Sequence, residues 1–372
     1  MKVLALTRTS SIGPSTRYRI EQYRPLLAQR GIEIETAPLF DERWFAILER
    51  PPGLARLLAK ARYSLGRLAA RCAQARSASR SNADVVLVEQ QLFPYLPAAI
   101  ELALWPRAPR TIIEMDDAIY LTRGHRAKLQ RLWAAADLVI VGNRFLADVV
   151  RPFAKDLAII PTTVDVSRYD EAWKAQRKYR ATRPKDAPLR VGWVGLRYNF
   201  PFLQLLAEPL ARIAASGRQV ELRVISSSCP EPGPQWGDVK LVHRPWSSKG
   251  EASEIGCCDL GVMPLPDNEW SRGKCALKLL QYMAAGLPVV ASPVGVNADL
   301  VQHGVNGLLA GDSPGWEASV GQLADDAELR ASLGEAGRQT VISDFSLGMG
   351  AEMVAKAYGF ASPNADGKGV SF

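Results

Sequence analysis

Short apolar runs punctuate the whole chain, each bounded by polar or turn-forming residues. The first half contains "KVLALT", "DVVLVEQ", "RTIIEMD", "ADLVIVG" and "LAIIP"; the second contains "LRVGWVG", "ELRVIS", "VKLVHR", "CDLGVMPL", "LPVVAS" and "NGLLA". Runs that stay apolar throughout, rich in Val, Ile and Leu, predict strands covered on both faces. Helical segments of roughly 10 to 15 residues lie between many of them, the alternation that builds parallel sheets. The pattern predicts an α/β chain with two Rossmann-like domains on mainly parallel sheets. Residues 1–168 form the first and 189–345 the second. The polar, charged stretch "DEAWKAQRKYRATRPKDAP" supplies a linker over 169–188, and a C-terminal helix and frayed tail occupy 346–372, the helix able to pack back on the first domain.

In an open α/β sheet, ligands bind beyond the carboxyl ends of the strands, so the loops that follow strands are where chemistry is expected. Three stand out in the second half. "GWVGLRYN" offers Gly195 for a tight turn and Arg197 for a phosphate, "MPLPDNEWSRGK" leads into a predicted helix, and "SPVGVNADL" turns at Gly295. None is a G-x-G-x-x-G fingerprint, and Glu221 falls inside the next predicted strand, which argues against a nicotinamide cofactor. In "SRGKCALKLLQYMAAGLPVVASPVG", Lys274, Lys278 and Gln281 are spaced to share one helical face. Cations at a helix N-terminus oppose its dipole, at a cost of about 0.3–1 kcal/mol, unless an anion joins them. Arg272 and Lys274 beside Gly273 therefore point to a bound diphosphate; a solvated basic helix is the alternative.

This stretch resembles the retaining family-four, or group one, glycosyltransferases of the GT-B fold, whose pattern K-x-x-E-x-M-A-x-G-x-P-V-V-A-S-x-x-G and later G-x-N-G-L-L stands here as "KLLQYMAAGLPVVASPVG" and "DLVQHGVNGLLA". In the first half, "GPSTRYRIEQYRPLLAQRGIEIETAPLF" and "ADLVIVGNRFLADVV" with "IIPTTVD" resemble the acceptor domain. The resemblance implies two domains facing across a cleft and transfer of a sugar from a nucleotide-diphosphate donor to a hydroxyl acceptor with retention, with no cofactor and no obligatory metal. It implies donor binding by Gly195, Arg197, Gly273, Lys274, Lys278, Gln281 and Gly295. The family's second motif Glu, which holds the ribose, falls on Gln281, and its first, near the donor sugar, on Gly273. On the acceptor side, the two carboxylates ending "IIEMDD", Asp116 and Asp117, are the catalytic candidates, with a helix N-cap as the alternative role. Gly13, Ser15, Arg17 and Arg19 are candidate lining residues, with ordinary surface arginines as the alternative. The family often carries a His-containing motif near here that this chain lacks, and His125, His243 and His303 stand in no catalytic spacing.

Charge and composition narrow the partners. Of 372 residues, 47% are hydrophobic and 23% charged, an ordinary globular composition, and the net charge of +8 favours an anionic partner. No apolar run approaches a membrane span and "MKVLALTRTSS" reads as a strand, so a cytoplasmic protein is expected. The five cysteines lack paired metal spacing and are expected as thiols. Basic residues are not interleaved with stacking aromatics, which argues against nucleic acid. Over 43–76, Leu54, Leu57, Leu58, Ala61, Leu65, Leu68 and Cys72 make one helical stripe with Arg56, Lys60, Arg67 and Arg71 off it, and Trp44 and Phe45 precede it. Two readings follow: a stripe buried on the sheet, or peripheral contact with anionic membrane at the inner leaflet, as suits a polyprenyl-linked acceptor. A catalytically silent GT-B protein, serving as a partner or regulator, is the alternative to an enzyme because both motif Glu positions are altered.

Overall fold

The computed structural model describes residues 1–359 apart from Tyr95, Lys185, Asp186 and Pro232, with only the backbone of Phe45 and Glu49. The expected tail "SPNADGKGVSF" and the Phe45 side chain lie outside the described residues. The chain divides into two compact units, one of Met1–Pro161 with the segment from Gly348 onward, the other of Thr162–Leu347.

The first unit is a six-stranded sheet in the order β2-β1-β3-β4-β5-β6, with β1 Lys2–Leu6, β2 Glu33–Thr36, β3 Val85–Glu89, β4 Arg110–Met115, β5 Leu138–Val141 and β6 Leu157–Ile159. The second has the order β12-β11-β10-β7-β8-β9, with β7 Leu189–Val194, β8 Val220–Ser226, β9 Lys240–Pro245, β10 Leu260–Met263, β11 Val289–Ala291 and β12 Leu308–Leu309. Every pairing is parallel. Each apolar run of the sequence became a strand because central strands such as β3 and β5 are buried along their full length. The strand that shows no apolar run is β2, an edge strand of sequence EIET in which Ile34 is the buried position. The second unit's core gathers Val191, Trp193, Leu222, Val224 and Val262 from the sheet with Leu206, Leu210, Trp316 and Val320 from covering helices.

The expected linker is instead structure. Residues Asp170–Thr182 form a helix of the second unit, because its polar residues have internal partners: an Arg180 Nη donates to the Gly286 carbonyl at 2.9 Å, and Arg183 pairs with Asp259 at 3.2 Å. The charged composition that suggested a solvated connector serves buried backbone and carboxylate acceptors.

Candidate functional site

In the second sheet the strand order reverses at β7, which lies between β10 and β8, and a ligand crevice is expected at such a switch point. The loops after β7, β10 and β11 are the three singled out by sequence. Two glycines hold them together. A Cβ on Gly195 would stand 2.6 Å from the Trp193 ring and 3.0 Å from Lys278 Cε, so its lack of a side chain lets the helix Leu277–Ala284 approach the end of β7. Gly295, at φ +54°, lies so close to the Arg272 backbone that a Cβ would meet Arg272 Cα and O at 2.9 Å.

The helix Leu277–Ala284 is fixed to the sheet by the residue one turn beyond Lys278. Buried Tyr282 accepts the Val194 N–H at 2.8 Å, and its ring lies over Gly261 of β10, where any side chain would collide with it. Lys278 is thereby held with its ammonium 4.6 Å from the centre of the Trp193 ring, a cation–π contact that fixes the charge beside the start of the helix. No side chain caps that start, and the preceding Ala276 is held in the left-handed region at φ +53°, a conformation that costs a non-glycine residue about 1 kcal/mol or more. The positive end of the helix dipole and the cation fixed beside it suit an anion at this start. The other end is neutralised: the guanidinium groups of Arg180 and Arg338 donate to the Gly286 and Ala284 carbonyls.

Several sequence expectations change here. Lys274 does not share the helical face of Lys278, because the helix starts at Leu277; its ammonium lies 5.6 Å from the Trp270 ring and 6.0 Å from the Phe202 ring. The amides around Gly273 are not available to a diphosphate: Gly273 donates to the Glu269 carbonyl and Lys274 to the Ser271 carbonyl, both at 3.1 Å, closing the short helix Glu269–Arg272. Arg272 is engaged with Asp267 at 2.7 Å. Arg197 opens a short 3₁₀ helix, Arg197–Leu203, and is exposed. Gln281 is only 2% exposed, and its Nε2 donates to Glu251 Oε1 at 2.8 Å, while Trp246 Nε1 donates to Glu251 Oε2 at 2.6 Å.

The first unit carries a second cluster at the carboxyl ends of β1, β3 and β4. Glu89 and Glu114 are register partners on adjacent strands and both are buried. Glu89 Oε2 accepts the Arg8 N–H at 2.8 Å and the Thr16 hydroxyl at 2.7 Å, and Glu114 Oε1 accepts Arg19 Nε at 2.6 Å. Arg19 is therefore a buried ion-pair partner and not a lining residue. Burial pushes Glu89 up to about 7 and Glu114 up to about 8, with the Asp116 carboxylate acting in the same direction on both. Asp116 thus sits beside this pair. The N-cap position of the short helix Ile119–Leu121 is Ala118. Gly13 precedes the helix Pro14–Arg19 and packs against Thr9 where a Cβ would overlap its hydroxyl; Ser15 and Arg17 are half-buried on that helix. Gln90, right after β3, has φ +65°, and its Oε1 accepts from Arg8 Nη1 at 2.8 Å. His125 is half-buried, and burial lowers its pKa below the usual imidazole value.

Residues 189–326 match the model of the glycosyl transferases group 1 family. The chain carries a group 1 glycosyltransferase domain on a GT-B fold. It is 38% identical over 71 residues to the N-acetyl-alpha-D-glucosaminyl L-malate synthase of Bacillus anthracis, covering 18% of this chain and 19% of that one. It is 26% identical over 234 residues to the D-inositol 3-phosphate glycosyltransferase of Stackebrandtia nassauensis, covering 58% and 51%. The chain thus spans about half the length, or less, of these curated relatives. Among solved structures, HepE of Anabaena in complex with UDP and glucose aligns with a TM-score of 0.67 at 18% identity over 96% of this chain and 99% of that one. The sucrose-phosphate synthase of Thermosynechococcus elongatus gives 0.69 at 16% over 96% and 98%.

Within the group 1 domain, sequence reasoning named the glycines and Lys278, which the structure packs at neighbouring loops, but not the residues that hold them. Trp193 and Tyr282 lie inside apolar runs and read as core. Glu251 lies 30 residues from Gln281 with nothing in the intervening sequence to link them. In the other GT-B unit, Glu89 and Glu114 end apolar runs one strand apart, a charge at a buried strand end that the pattern does carry.

Proposed function

We propose that the chain is an enzyme that transfers a sugar from a nucleotide-diphosphate sugar to a hydroxyl acceptor with retention, in assembly of a cell-surface polysaccharide or glycolipid. The observation that carries this reading is the uncapped, strained start of the helix Leu277–Ala284 with Lys278 locked beside it at the strand-order switch. As the sugar–phosphate bond breaks, charge develops on the departing diphosphate; Lys278, Lys274 and the positive end of the helix dipole stabilise it without a metal ion. HepE, a structural neighbour with near-complete overlap, was solved with UDP-glucose, which supports a donor of this class. The Gln281–Glu251 pair takes the place of the family's ribose-binding Glu, with Glu251 supplying the carboxylate. On the acceptor side, Asp116 receives the acceptor hydroxyl's hydrogen, beside the buried Glu89–Glu114 pair.

Calorimetric titration of the purified chain with UDP-, GDP- and dTDP-sugars and the free diphosphates tests the donor site. Lys278→Ala is expected to weaken the preferred diphosphate by about tenfold to a hundredfold, the loss of one charge-assisted contact. Unchanged affinity would refute the assignment. Binding without transfer or slow donor hydrolysis would instead favour the silent partner reading, which rests on Gly273 and Gln281 at the two Glu positions.

A further inference from the structure

The helix Leu54–Ala78 is built inside out. Its polar side faces the first unit: Tyr63 Oη accepts the Asp41 N–H at 2.9 Å, Arg67 Nε donates to the Leu39 carbonyl at 2.7 Å, and buried Arg71 donates to the Thr7 carbonyl. Its leucines face outward. Leu54, Leu57, Leu58 and Leu65 are 71%, 63%, 60% and 69% exposed and, spaced i, i+3, i+4 and i+11, lie along one stripe. Scattered exposed leucines are ordinary; several aligned on one helix mark a surface that something covers. Trp44, expected to help such a contact, is instead packed inward, stacked on Phe40 at 4.7 Å and on Tyr63 at 5.8 Å.

The charge around the stripe selects the occupant. From Arg50 through Ala83 the sequence contains no Asp or Glu; Arg67 and Arg71 turn inward, but Arg50, Arg62, Arg76 and Arg80 are exposed, Arg62 between Leu58 and Leu65. A second copy of this helix would bring like charges together. A nucleic acid would leave the leucines unused. An anionic bilayer takes both, with the apolar stripe entering the boundary of headgroups and acyl chains and the basic flanks meeting lipid phosphates. Among the described residues no helix is long and apolar enough to cross a membrane, so the fit is a helix lying in the surface plane. We propose that the outward face of Leu54–Ala78 docks the protein on anionic lipid. This surface is distinct from the donor site and stands independently of the reaction proposed above.

The test is co-sedimentation of the full chain with vesicles of phosphatidylcholine alone and of phosphatidylcholine mixed with phosphatidylglycerol. The protein is expected to bind the anionic vesicles, and less so as salt rises. The triple variant Leu54→Glu, Leu58→Glu, Leu65→Glu should lower that binding by at least about tenfold, while Arg62→Glu should lower it by a smaller factor. Both variants should keep the thermal unfolding midpoint and the nucleoside-diphosphate affinity of the parent, since these side chains point away from the fold. Absence of vesicle binding by the parent chain, or equal binding by the triple variant, would overturn the proposal. A dimer in analytical ultracentrifugation that the same leucine substitutions dissolve would overturn it in favour of a second copy as the cover.

Discussion

At the scale of single residues, Gln281 shows how a motif position depends on what faces it. The family pattern places Glu there, and a lone carboxylate would suit a ribose hydroxyl. In this chain Glu251 already stands 2.8 Å away, buried at 3% exposure, so a second carboxylate at 281 would be confined against the first. Restoring the family residue, Gln281→Glu, is therefore expected to destabilise the protein by about 2 kcal/mol, because two buried carboxyls must share a proton or repel. Adding Glu251→Gln should recover most of that loss, and thermal unfolding of the single and double variants reads both effects. If Gln281→Glu alone leaves the midpoint unchanged, the two side chains do not act as a pair. Lys278 gives the complementary lesson. Its charge is legible in sequence, but its fixed position follows from Gly195, Trp193 and Tyr282, which the spacing of charges does not reveal.

At the scale of elements, the buried strand ends of the first sheet carry a pH signature. The folded protein raises Glu89 from 4.5 to about 7, chiefly by burial. Between those values the unfolded chain releases this proton and the folded chain keeps it, so rising pH favours unfolding across that window. Below 4.5 the group is protonated in both states and the effect vanishes. Denaturant unfolding followed from pH 4.5 to 7 is expected to show stability falling through this range, with Glu89→Gln flattening the fall while keeping an acceptor for the Arg8 amide and the Thr16 hydroxyl. An unchanged slope in the variant would place the proton uptake elsewhere. Elements also mark where periodicity reaches its limit. The sequence pattern located the helix around residues 54–76 and its apolar stripe, but the stripe's direction depended on Arg67 and Arg71 finding carbonyls at Pro38, Leu39 and Thr7.

At the scale of the whole molecule, the proposed reaction places the cationic work on side chains and the helix dipole. Transfer, once the donor is identified, is expected to persist in excess chelator, and full loss reversed by a divalent ion would contradict that division of labour. Fold class was legible because each buried parallel strand must itself be apolar over its length, and that requirement is written residue by residue. Domain limits were less so: the charged stretch before β7 reads as a connector, yet its arginines fill acceptor positions on Gly286 and Asp259 that are far away in sequence. The sequence by itself determined the two α/β units, the loops that follow β7, β10 and β11, and the motif that marks a group 1 domain, since all of these rest on local periodicity and short spacing. Only the tertiary structure decided which side chains fix Lys278, which carboxylate faces Gln281, and which side of the helix Leu54–Ala78 meets the protein. Those outcomes depend on partners brought together by the fold from distant positions, and hydrogen-bond satisfaction and burial at such meetings are not encoded in any one segment.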